Sequence, residues 1–191
     1  IVALAHRLTG DERFRPVYGL ALRAAQFPPG GETSPEFHGS TAKWGTQWIT
    51  DLAFVYDLGW HEYTPEQRAQ FREGLGWRIN AVFHQRLSWR SADGGVWVGG
   101  ISGFAQSHPF ENAHLAMQGV LLLAGELPVA DELTPVVLNY LLGVGCAVGP
   151  DGGWNEAGAY VYYKVKMALN AALIANKLLP GLRVAEYPWF N

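Results

Sequence analysis

Along the chain, apolar residues recur at three- and four-residue intervals, and no run alternates apolar with polar positions between hairpin turns. The pattern predicts an all-α protein. Residues 1–8 read as a helix broken at Thr9-Gly10. Asp11 then caps a segment in which Phe14, Val17, Tyr18, Leu20, Ala21 and Ala24 keep helical spacing until Pro28-Pro29 stops it. These two segments form one helical hairpin. A connection rich in Pro, Gly, Ser and Thr fills residues 28–41. Trp44, Trp48, Leu52, Val55 and Tyr56 then mark a second amphipathic helix that ends near Gly59. Thr64-Pro65-Glu66-Gln67 supplies an N-cap, a proline at the first helical position and a glutamine placed for a capping box. It launches a helix to about Leu87.

Residues 88–106 are glycine-rich and aromatic, too long for a routine connector between packed helices. Helices resume over 109–126 and about 130–148, joined by a turn at Leu127-Pro128. After the break at 149–153 a last helix runs over about 158–179. The sum is three helical hairpins and the first arm of a fourth, joined alternately by short turns and long glycine-rich loops. Hairpins repeating about every 50 to 60 residues suggest an α/α toroid or solenoid with its longer loops at one end. The expectation is a single partial α/α toroid domain over residues 1–191, an incomplete barrel of antiparallel hairpins. Ile1 enters mid-pattern and Tyr187-Pro-Trp-Phe-Asn191 closes on bulky apolar residues, so truncation at both ends is expected.

Composition narrows the function classes. The 191 residues are 49% hydrophobic and 16% charged, enough to bury a full core. Fourteen Lys and Arg against 17 Asp and Glu give a net charge of −3, too weak a field to point to nucleic acid or an anionic membrane. The longest apolar stretches, 119–124 and 136–147, fall short of the roughly 20 residues that span a bilayer. The one cysteine, Cys146, sits in an apolar run and reads as core. The six histidines show no zinc-type spacing with it, so no metal and no cofactor is expected.

Two polar clusters stand at predicted helix starts after glycine-rich loops. In Ser107-His108-Pro109-Phe110-Glu111-Asn112-Ala113-His114, Glu111 and Asn112 lie three and four residues beyond His108, so an imidazole can share a face with a carboxylate and an amide. The plainer reading makes Glu111 and Asn112 servants of the helix start. In Asp151-Gly-Gly-Trp-Asn-Glu156 and the following Tyr160-Val-Tyr-Tyr-Lys164, positions 160, 163, 164 and 167 share a helical face carrying two phenols and an ammonium. A cation beside a phenol favours its ionised form. The plainer reading is a core stripe.

The motif His108-Pro-Phe-Glu-Asn112, followed by an apolar helix ending in Leu-Ala-Gly-Glu126, resembles the heparinase II/III-like polysaccharide lyases, relatives of alginate lyases and dermatan sulfate epimerase. So does Asp151-Gly-Gly-Trp-Asn-Glu156 with Tyr160-Val-Tyr-Tyr163. In that family a histidine of the first motif and the second tyrosine of Tyr-x-x-Tyr act as base and acid. His108 and Tyr163 are the matching positions, and their separation is similar. The resemblance implies a periplasmic or secreted lyase acting on an acidic polysaccharide, with a β-sandwich domain following the toroid. Two departures stand out: Ser107 precedes the histidine where relatives often have Asn, and Glu156-Ala-Gly replaces the usual Glu-Gly. Relatives also draw a further histidine or arginine from later segments.

β-Elimination from a uronate glycan removes the C5 proton, stabilises the resulting carboxylate dianion and protonates the leaving glycosidic oxygen. His108 and Tyr163 fit as catalytic residues; Asn112, Glu111, Tyr160, Glu156 and Trp48 fit as substrate-binding ones. Trp44, Trp48, Trp89, Trp97 and Trp154 are candidate sugar-stacking platforms, with core packing the alternative. A uronate C5 epimerase would use the same pair. An inverting glycoside hydrolase would use two of Glu111, Asp151 and Glu156. A binding or purely structural helical repeat would need neither.

Overall fold

Every regular element described in the computed structural model is helical, and no strand occurs among the described residues, 1–26, 42–80, 83, 116–143, 159–179, 181, 183 and 186. Helix α1 (Val2–Thr9) stops where Gly10 turns left-handed, φ 66°, and its N–H reaches the His6 carbonyl at 2.8 Å. Helix α2 (Pro16–Ala25) follows a 3-10 turn at Glu12–Phe14. Next come α3 (Ala42–Leu58), a second 3-10 turn at Trp60–Glu62, and α4 (Pro65–Asn80). Residues 116–122 form α5, and α6 (Pro128–Gly143) and α7 (Ala159–Leu178) complete the series.

The all-α expectation therefore holds, and the cap of α4 forms as read. Thr64 N–H reaches Gln67 Oε1 at 2.9 Å while Gln67 N–H reaches Thr64 Oγ1 at 3.2 Å. Three boundaries differ from expectation. Asp11 caps only the 3-10 turn, accepting from the Arg13 N–H at 3.0 Å, because a helix begun there would carry Pro16 in its interior. The chain instead starts α2 on Pro16, where a missing N–H costs nothing. For the same reason α6 begins on Pro128 rather than at Ala130. The apolar helix expected to reach Glu126 ends at residue 122, and Gly125 takes φ 84° with its N–H bonded to Asp131 Oδ1 at 2.6 Å.

Alternate helices stack on one another. α1 packs on α3, and α5 meets α3 where Gly119 faces Ile49; α2 packs on α4, and α4 on α6. The two layers are joined by α2 against α3 and α3 against α4, and α7 packs on α6. A single cluster of buried apolar residues fills the space between, including Ile49, Phe71, Leu75, Ile79, Met117, Leu121 and Leu133. Two crossings depend on glycine. A Cβ on Gly119 would stand 2.5 Å from Ile49 Cγ2, and one on Gly74 would run into the Ala25 carbonyl at the end of α2. The Gly119 crossing carries a polar tie as well, Gly119 N–H to Thr50 Oγ1 at 3.0 Å.

Short turns join α1 to α2, α3 to α4 and α5 to α6, so each pair is antiparallel and the bundle has two unlike ends. At the short-turn end, Tyr63 donates to the Tyr18 carbonyl at 3.2 Å, and Tyr18, Tyr56, Tyr63 and Phe71 form an aromatic knot with ring centroids 5.0 to 6.2 Å apart. At the opposite end, the last turns of α2 and α4 come together beside the first half of α3.

Candidate functional site

The inward face of α4 carries Phe71, Leu75 and Ile79 at four-residue steps, all fully buried. Arg78 belongs to that face, seven residues after Phe71, and is also 0% exposed. Burying a guanidinium is costly unless its donors are engaged. Arg78 Nη2 donates to the Ala24 carbonyl at 2.8 Å, in the last turn of α2, where backbone carbonyls lack helical partners and the helix dipole is negative. Its Cζ also lies 5.6 Å from the centroid of the Trp48 ring, within cation–π range.

Trp48 comes from α3, whose neighbouring positions Ile49 and Leu52 are core, but Trp48 itself is 39% exposed. Three helices thus build one feature. The end of α2 offers a carbonyl, α4 spans to it with a cation, and α3 lays an indole against that cation with part of the ring in water. Arg78 was not singled out from the sequence. The available signal was its register: an arginine at a position that the spacing of Phe71 and Leu75 assigns to the core.

Several other polar groups among the described residues tie helices together. Tyr56, nearly buried, donates to Glu126 Oε2 at 2.9 Å and receives Arg72 Nη1 at 3.3 Å, tying α3 and α4 to the turn before α6. Burial pushes its phenol up to about 12, with Glu126 adding and Arg72 opposing. Burial likewise raises Tyr18 and, further, Tyr63. None of these phenols is poised to give or take a proton near neutrality. Tyr18 Oη lies 3.1 Å from His6 Nδ1 and donates to the Ala3 carbonyl at 3.4 Å, which locks α2 against α1. On the surface, Arg68 covers the Trp60 ring at 4.4 Å beside the α3–α4 turn.

The candidates read from sequence divide in three. His108, Glu111 and Asn112 lie outside the described residues, as do Asp151, Glu156, Trp89, Trp97 and Trp154. Tyr160 and Tyr163 lie in the first turns of α7, one helical turn apart, with Tyr162 between them about 100° around the helix axis. Trp48 stands exposed on α3. Among the described residues no group of three His, Cys, Asp or Glu side chains could hold a metal ion, and no helix is long and apolar enough to cross a membrane. Compared with protein-family models, with curated proteins and with solved structures, the chain matches none of them.

Proposed function

We propose that the chain is the helical part of a polysaccharide lyase that cleaves a uronic-acid glycan by β-elimination, acting in the periplasm or outside the cell. His108, as a neutral imidazole, takes the C5 proton. The C5–H electrons form the C4–C5 double bond as the bond from C4 to the glycosidic oxygen breaks, and Tyr163 gives its phenolic proton to that oxygen. Asn112 donates to the substrate carboxylate as negative charge builds on it, with Glu111, Glu156 and Tyr160 lining the sugar site and Trp48 stacking on a ring. In this reading the stacked hairpins are part of an α/α toroid.

The alternation of layers carries the reading. The two polar clusters precede α5 and α7, successive odd-numbered helices. In an array that continues its own alternation, these helices begin at the same end of the bundle, the end where Trp48 is exposed. The helical register of α7 adds support, since Tyr160 and Tyr163 fall one turn apart and Tyr162 does not share their face.

The test is a screen of the full-length protein against alginate, hyaluronan, chondroitin, dermatan and heparan, read by the ultraviolet absorbance of an unsaturated uronate. On the substrate that responds, Tyr163→Phe removes only a hydroxyl and should lower turnover by roughly 100-fold or more, whereas Tyr162→Phe should leave it nearly intact. Saturated products would instead point to hydrolysis, and deuterium uptake at C5 without cleavage to epimerisation. Equal loss in both variants would refute the assignment of Tyr163.

A further inference from the structure

We propose that the outer face of the layer containing α1 and α3 is a self-association surface, on which α1 of one copy of the chain lies over α3 of a second copy and the reverse. In α1, Ala3 and His6 are buried against Tyr18 of α2. Leu4 and Leu8 lie about 130° and 170° around the helix axis from that buried pair and so face away from the bundle. In α3, Ile49, Leu52, Ala53 and Tyr56 are core, and Phe54 and Leu58 lie one turn apart on the opposite side. Each of the two helices ends at a short turn, so they run in the same direction, and α1 packs on α3. The two apolar pairs therefore adjoin on one surface. Leu4 is 45%, Leu8 76% and Phe54 38% exposed, with Leu58 partly buried beside them. Single apolar residues on a surface are ordinary, but a contiguous set marks a contact site.

Charge and area together select the occupant. Among the described residues, the exposed charges of these two helices are Arg7 on α1 and Asp51 and Asp57 on α3. Laying α1 on a second α1 would bring arginine to arginine, and α3 on a second α3 would bring carboxylates together. The crossed pairing alone sets opposite charges side by side. A two-fold axis in the interface, running along the helices between α1 and α3, produces that pairing twice with identical contacts. The exposed parts of Leu4, Leu8, Phe54 and Leu58 amount to roughly 350 Å² per copy. With the polar rim that surrounds such a core, the two copies would bury about 1,100 Å² in total, just above the lower bound of a specific interface and far below an obligate one. The dimer is therefore weak and reversible.

The full chain would be followed by sedimentation equilibrium from about 1 to 100 μM. Its mass should rise from one chain toward two with a dissociation constant of about 10 μM. Leu8→Gln and Leu4→Gln, both at exposed positions, should each weaken the dimer roughly tenfold or more with unchanged circular dichroism. Leu20→Gln, also exposed but on α2 in the other layer, should leave it as it is. Arg7→Asp and Asp57→Arg each make the crossed contacts like-charged and should each weaken self-association about fivefold. Mixed in equal amounts, these two variants should form a heterodimer about as tight as the parent, because each crossed contact then joins opposite charges again. A chain that stays monomeric to 100 μM, a dimer indifferent to both leucine substitutions on α1, an equal loss in Leu20→Gln, or a mixture no tighter than the separate variants would each overturn the proposal. The lyase reading concerns the ends of the bundle and stands or falls apart from all of these outcomes.

Discussion

Helix α4 contains two glycines, two residues apart, whose replacement by alanine should move stability in opposite directions. A Cβ on Gly76 meets only Leu127 Cδ2 at 3.8 Å, an ordinary contact. Gly76→Ala therefore keeps the usual benefit of alanine in a helix, about 0.5 to 1 kcal/mol. A Cβ on Gly74 runs into the Ala25 carbonyl oxygen and stands 2.6 Å from its carbon and 3.3 Å from Gln26 N. These are backbone atoms that cannot rotate aside. The end of α2 is further pinned by Arg78 on the Ala24 carbonyl and by Gln26 Nε2 on Gln70 Oε1 at 3.1 Å. To admit the methyl, α2 and α4 must separate, opening the seam that Gly74 and Ala25 close. Overpacking of this kind costs about 1 to 3 kcal/mol, and the loosened seam costs about 1 kcal/mol per methyl-sized gap, so the alanine benefit is outweighed by about 2 kcal/mol. Urea unfolding followed by circular dichroism should place Gly76→Ala above the parent midpoint and Gly74→Ala well below it, with similar slopes. Finding Gly74→Ala as stable as Gly76→Ala would refute the close approach of α2 and α4.

Two further outcomes follow from the polar contacts. Tyr56 holds its proton more tightly folded, about 12, than at its ordinary 10.0, so its contribution is complete below about pH 10 and is lost as pH rises from 10 toward 12. Alkaline unfolding curves should show this limb, and Tyr56→Phe should make it shallower while costing about 1 kcal/mol at neutral pH through the lost bond to Glu126; an unchanged limb would mean that Tyr56 does not titrate there. Thr64→Ala removes one arm of the α4 capping box and should cost about 1 kcal/mol by thermal unfolding, with no loss meaning that the turn, and not the cap, sets the helix start.

The sequence was most legible where a signal is local. The Thr64 to Gln67 box, the stop at Gly10 and the length of α7 each depend on residues within one turn of each other, and they form as the spacing implies. Helix starts at prolines were less legible. Asp11 and Ala130 looked like better openings than Pro16 and Pro128, because capping signals are vivid and the absence of an N–H is silent. Contacts between distant segments were not legible at all. Nothing near Gly74 or Gly119 in the chain distinguishes them from Gly76, since what matters is an approaching backbone from another helix. The sequence offers candidate motifs at 107–114 and 151–164, of which 107–114 and 151–158 lie outside the described residues, whereas the meeting of Trp48 and Arg78 needs α2, α3 and α4 at once.

The two ends of the bundle show different balances of polar and apolar contact. At the short-turn end, Tyr18, Tyr56 and Tyr63 bury their rings and find acceptors for their hydroxyls in a carbonyl or a carboxylate, so polar atoms there add to stability at little cost. At the other end, a fully buried arginine occupies a core position that leucine or methionine would fill with less desolvation, a replacement that in other proteins is often neutral or stabilising. Anchoring to the Ala24 carbonyl and the cation–π contact with Trp48 each offset part of that cost. If packing alone governed position 78, an apolar residue would serve.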